Sequence, residues 1–232
     1  MKRSINAVLA MTLGTLAGEA QVFSVRPAAG GIPDGLSAGW TSSIEISGLP
    51  NHLTEVRVRL QLEPEVGGGF VGDLYATLQQ GDSFSVLMNR LGASPERPGG
   101  YGDSQAIDVL LSDAGLADIH DYRMELSGNA AVPLTAPLTG DWQPDGRASD
   151  PGGEVWNAPR TAMLSQFIGV NPNGLWTLFV ADLSVGGGYR VTGWDLHMTV
   201  IPEVESGAFA AGGALLLWGW FRRSGNRRGN RD

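Results

Sequence analysis

Four acidic side chains fall in one short stretch, residues 141–159 (DWQPDGRASDPGGEVWNAP): Asp141, Asp145, Asp150 and Glu154. Hard divalent cations take several carboxylate and carbonyl oxygens from flexible loops, so these are the residue types of a calcium site. The D-x-D-x-D-G spacing of a dedicated calcium loop is absent. Trp142 and Trp156 flank the same stretch. Loop aromatics of this kind stack on sugar rings when exposed and cap the rim of a core when not. His52, His120 and His197 are the three histidines, and none stands in an H-x-x-x-H spacing. His52 follows a Pro-Asn turn and His197 lies on the polar face of an alternating segment, so both read as surface residues. No G-x-S-x-G elbow presents a serine nucleophile. There is no cysteine, which removes thiolate catalysis, cysteine-ligated zinc and iron–sulfur clusters. No residue is nominated as catalytic, and the expectation is a protein that is not an enzyme.

Elements able to position these residues are strands. In residues 55–63 (EVRVRLQLE) every even position is apolar and every odd one polar, the pattern of a strand with one dry face. Leu74, Ala76 and Leu78 alternate likewise, and Phe84, Val86 and Met88 resume after a Gly81-Asp82 turn. Residues 175–183 form a nearly continuous apolar run, which predicts a central strand covered on both sides. Gly186, Gly187 and Gly188 then turn the chain into a last strand carrying Trp194, Leu196, Met198 and Val200. Trp176 and Trp194 are expected in the core. Helical periodicity is scarce, with one turn at most near residues 112–117. Thirty-four glycines and 13 prolines in 232 residues supply the turns such a chain needs. The expectation is an all-β sandwich, with residues 141–159 running over its surface.

Charge is unevenly spread. From residue 21 to 201 there are nine arginines against twenty aspartates and glutamates, a balance of −11, while five arginines crowd the last eleven residues. A body this acidic repels phosphate backbones, so nucleic-acid binding is excluded.

Both ends read as addresses. Lys2 and Arg3 precede an apolar stretch, and Gly18-Glu19-Ala20 offers small residues at a cleavage site, the layout of a secretory signal peptide over residues 1–20. At the other end Pro202-Glu203 leads into an uncharged apolar run, residues 207–221, followed by Arg222-Arg223. At ~1.5 Å per residue this helix covers about 22 Å, short of a hydrocarbon core of about 30 Å, with arginines placed for the cytoplasmic side. The order Pro-Glu, short apolar helix, arginine cluster resembles the PEP-CTERM sorting signal of Gram-negative bacteria. That resemblance implies a membrane-embedded exosortase as partner, transient single-pass anchoring, cleavage near the motif and release to the cell surface or beyond. Pro202, Glu203, Arg222 and Arg223 match the motif; Val204 stands where the family's second proline belongs.

The body carries a second resemblance. Residues 70–92 (FVGDLYATLQQGDSFSVLMNRLG) and 173–200 (NGLWTLFVADLSVGGGYRVTGWDLHMTV) look like the paired signatures of the P-domain, the jelly-roll module that follows the protease in proprotein convertases. It spans about residues 44–200 and implies a jelly-roll-like sandwich over residues 21–201, flanked by the signal helix and by the sorting tail of residues 202–232 with its hydrophobic helix at about 207–221. Asp73 and Asp182 occupy its motif positions, and join Asp141 and Asp145 as candidate calcium ligands. The other role open to them is structural, accepting backbone N–H bonds in turns. About twenty residues separate the expected cleavage point from the first of these strands, too few for a protease fold. The function expected is that of an exported, non-enzymatic surface or matrix protein, structural or adhesive, with no cofactor beyond a structural calcium ion. The alternatives are a lectin-like module binding extracellular polysaccharide and an accessory domain for a separate protease.

Overall fold

The computed structural model describes residues 19–25 and 31–202. Nine strands are found among them: β1 (Glu19–Val25), β2 (Leu36–Ile46), β3 (His52–Pro64), β4 (Leu74–Gln80), β5 (Ser83–Asn89), β6 (Ile107–Leu111), β7 (Leu138–Trp142), β8 (Gly174–Asp182) and β9 (Tyr189–Ile201). They form two sheets, of order β1-β9-β3-β6-β7 and β2-β8-β4-β5. Every pairing is antiparallel except β6 with β7. The fold is an all-β, two-sheet sandwich.

Alternation builds the core. Val56, Val58, Leu60 and Leu62 of β3 point inward, and Arg57, Arg59 and Glu63 point out. Leu53 lies in the opposite phase yet is also buried, because the register shifts between Leu53 and Glu55. A bulge of this kind adds one residue to a strand and resets which side chains face in. A second shift, opposite Gln61 and Leu62, lets both Val191 and Trp194 of β9 reach the core. Trp176 and Trp194 are fully buried, as expected, beside Phe167, Tyr101, Tyr122 and Tyr189. Each such side chain contributes about 1.5–3 kcal/mol of apolar burial.

Four expectations change. β8 is central, between β2 and β4, but its outer face is half open: Leu175 is 54% exposed and Phe179 half-buried, so the apolar run is not covered on both sides. The stretch 141–159 is more than a surface loop. It begins inside β7, and Pro144, Asp145 and Gly146 are buried against β5, where Asp145 and Gly146 donate to the carbonyls of Leu87 and Val86 (3.1 and 2.9 Å). Along β5 itself Ser85, Val86, Leu87 and Met88 are all buried while Phe84 is 37% exposed, so the strand does not keep the Phe84, Val86 and Met88 alternation expected of it. Finally, the helical turn lies at α1 (Tyr122–Ser127), ended by Gly128 in the left-handed region, rather than at residues 112–117.

Candidate functional site

Three aspartates at one end of the four-stranded sheet lie near enough to feel one another's charge. Asp182 is the last residue of β8, and the register sets it between Leu36 of β2 and Leu74 of β4. Asp73 ends a 3-10 turn just before β4, and its carbonyl accepts the Leu183 N–H at 2.9 Å. Asp34 precedes β2 and receives the N–H groups of Gly186 and Gly187 at 3.3 and 3.4 Å. The loops that carry them pack backbone on backbone: a Cβ on Gly187, whose φ is 129°, would stand 2.5 Å from the Gly68 carbonyl. Only glycine accepts both that φ and that approach.

The electrostatics of this cluster are unbalanced. Asp182 is 0% exposed; the Ser184 backbone N–H faces its carboxylate, but neither oxygen has a hydrogen bond of good geometry. Burial pushes its pKa up to about 6; the Ser184 amide offsets part of this, and the negative charges of Asp73 and Asp34 add to it. Asp73, 7% exposed, is also raised, first by burial, against the pull of the Ser184 side chain and of Arg90. The Arg90 guanidinium stands 3.8 Å from Asp73 and spends its other nitrogens on the carbonyls of Gly72 and Pro151. Buried carboxylates without partners are costly, and buried charges are normally paired or coordinate metals. Orphaned oxygens of Asp182 beside two further carboxylates are the donors a hard cation uses. Among the described residues no three acidic or imidazole side chains converge closely enough to hold an ion by themselves. Carbonyl oxygens and water would have to complete the shell.

A second buried carboxylate behaves in the opposite way. Asp145 is 0% exposed and His120 2%, and they meet at 2.7 Å through Nδ1. The ring's other nitrogen donates to the Ala93 carbonyl at 3.0 Å. Both ring nitrogens face acceptors, so the geometry calls for the imidazolium. Burial works against that charge, but the hydrogen bond and charge of Asp145 outweigh it and raise the His120 pKa. Asp145 also accepts from Asn89 N–H and from Arg147, whose guanidinium reaches Asp118 at 2.8 Å. A general base needs a free nitrogen facing a substrate proton. His120 has none to offer.

Asp103 closes a third network. Arg123 grips it at 2.7 and 2.8 Å, Tyr122 donates its hydroxyl, and the Leu134 N–H adds 2.8 Å. Arg123 in turn stacks over Tyr101, 4.4 Å from the ring centre. Despite burial, these donors hold the Asp103 carboxyl below its usual range.

The sequence-derived candidates therefore separate. Asp73 and Asp182 come together and gain Asp34, which no spacing marked. Asp141 sits exposed on β7 and Asp145 is committed to His120, so neither joins them. Trp142 is 5% exposed within the core, its indole donating to the Thr139 carbonyl at 3.0 Å, and is not available as a sugar platform. Trp156 is half-buried in a 3-10 turn. Pro202 lies exposed just past β9. Glu203, Arg222, Arg223, the helix expected over residues 207–221 and residues 1–18 of the expected signal peptide fall outside the described residues. Among the described residues no helix is long and apolar enough to cross a membrane.

No known protein family and no curated protein matches the chain. Among solved structures it is similar to the serine protease of Aeromonas sobria, at 15% identity over 78% of this chain, with a TM-score of 0.41. The same score, at 14% identity over 79% of this chain, is found with the complex of that protease and its chaperone ORF2. The chain spans about a quarter (26%) of the length of each of those chains.

Proposed function

We propose that this chain is an exported, non-enzymatic β-sandwich of the cell surface or extracellular matrix, jelly-roll-like in form and structural or adhesive in role. A PEP-CTERM-like tail holds it at the membrane until a sorting protease acts, and a divalent hard cation, calcium by preference, ties the Asp34, Asp73 and Asp182 end of its sheet. The observation that supports the cation is Asp182, a fully buried carboxylate without a hydrogen bond of good geometry, which feels the charges of two more carboxylates. Weak calcium sites with Kd values of about 10⁻⁴–10⁻³ M belong to extracellular modules, where the ion is abundant. Such a site fills after export and stays empty in the cytoplasm.

The test is intact mass of the protein from membrane and surface fractions of a host that carries the sorting protease. A species starting near Gln21 and ending near residues 202–206 supports export and sorting. A species that keeps both ends in the cytoplasm overturns them.

A further inference from the structure

The tail-sorted reading above supports a further step, drawn from the register of the five-stranded sheet. β9 is an inner strand, hydrogen-bonded to β1 on one side and β3 on the other. Its last residues are held from both: Val200 faces Glu19 and Leu53, Thr199 faces Ala20 and Glu55, and Ile201 faces His52. Side chains add to the ladder. Thr54 donates its hydroxyl to the Thr199 carbonyl at 2.9 Å, and Thr199 donates its own to Glu55 at 3.1 Å. The adjoining residue of β3 is pinned in turn, since Leu53 exchanges hydrogen bonds with Val170 and Gly169 at 3.1 and 2.7 Å. Val200 is fully buried, and two residues later Pro202 is exposed. No spacer separates the sandwich from the sorting motif.

We propose that the end of β9 protects its own junction: tail cleavage is confined to Pro202 and beyond, and its rate is set by fraying of Thr199, Val200 and Ile201 from β3. Proteases and other peptide-binding proteins take an extended segment through its backbone N–H and C=O groups, the groups β9 already shares with its neighbours. A cut breaks one peptide bond and passes the acyl group to water, so several residues on its amino side must first leave the ladder. Proteolysis then follows the population of the locally opened form. Pro202 has no N–H to extend the ladder and marks where protection stops. Removal of Glu19 and Ala20 with the signal peptide takes away the β1 partners of Val200 and Thr199. β3 then holds the end by itself.

The experiment follows tail loss by intact mass after a pulse of synthesis, in a host carrying the sorting protease. Three full-length chains are compared: the natural one, one with Gly-Ser-Gly-Ser inserted between Ile201 and Pro202, and one with the same insertion in the exposed Gly81-Asp82 turn. The proposal predicts that the junction insertion speeds tail loss about tenfold, the factor expected from sparing one buried side chain and its ladder bonds. The turn insertion leaves the rate unchanged, and the natural product ends at Pro202 or later. Equal rates for the natural and junction-spaced chains overturn the proposal, as does a product ending upstream of Ile201. Retention of the tail by all three chains overturns the sorting reading itself, and this inference with it.

Discussion

Asp145 and Asp182 are both completely buried aspartates at loop-facing ends of the sandwich, and they are satisfied in opposite ways. Asp145 has an imidazolium, a guanidinium and a backbone N–H around it. Asp182 has two carboxylates for neighbours, and against them only the Ser184 backbone N–H, with no hydrogen bond of good geometry on either oxygen. Folding places a charge in the interior only with compensation, because the desolvation cost otherwise exceeds what packing returns. The first site carries its compensation in the chain. The second has a deficit of positive charge, which on the reading proposed above an ion from outside fills.

Breaking the closed network gives the largest effect. Asp145→Ala leaves His120 and Arg147 buried without their counter-charge and is expected to cost about 3–5 kcal/mol in denaturant unfolding. A similar loss is expected for Trp142→Ala, a core deletion of about 3–5 kcal/mol, with Trp156→Ala within about 1 kcal/mol. Equal effects at the two tryptophans would return Trp142 to the surface.

The open site responds with the other sign. In chelator at pH 7, Asp182→Asn is expected to stabilise by about 1–2 kcal/mol, since the amide removes an uncompensated charge while still burying polar atoms. A loss of stability there would mean that Asp182 already has a partner.

Titration sharpens the contrast further. The folded pKa of Asp182, about 6, lies above its ordinary value of 3.8. The folded state therefore takes up the proton first, and calcium-free stability rises as pH falls through 6, with the gain complete near 3.8. Asp182→Asn removes that segment of the pH profile. His120 also has a raised folded pKa, so its contribution is fully present below its ordinary 6.5 and is lost as pH rises through the folded value. His120→Gln flattens the alkaline side and leaves the acid side as it was.

The sequence shows some of this and hides the rest for physical reasons. The strands β3, β4 and β9 are written in period-two alternation, and the central place of β8 in its apolar run; β5 is marked as a strand, but its inner face is not, since Phe84 stays exposed and Ser85 is buried. Where the phase slips, at Leu53 and near Thr192, a bulge does work that no residue type announces. Asp73 and Asp182 stand out because they occupy the motif positions of the segments that resemble the P-domain. Asp34 sits in an ordinary Pro-Asp-Gly turn and joins them only through the pairing of β2 with β8. His120 and Asp145 are 25 residues apart in segments without periodicity, and their meeting depends on β7 running parallel to β6. That parallel connection also explains Trp142: flanked by aspartates, proline and glycine it has the composition of a loop, yet it closes a short edge strand.

The most direct test is thermal unfolding of the purified chain in millimolar calcium and in chelator, alongside Asp182→Asn. A cation tying the Asp34, Asp73 and Asp182 end predicts a melting temperature about 5 °C or more higher in calcium, with no such shift in the variant. A natural chain that melts identically in calcium and chelator would contradict the account.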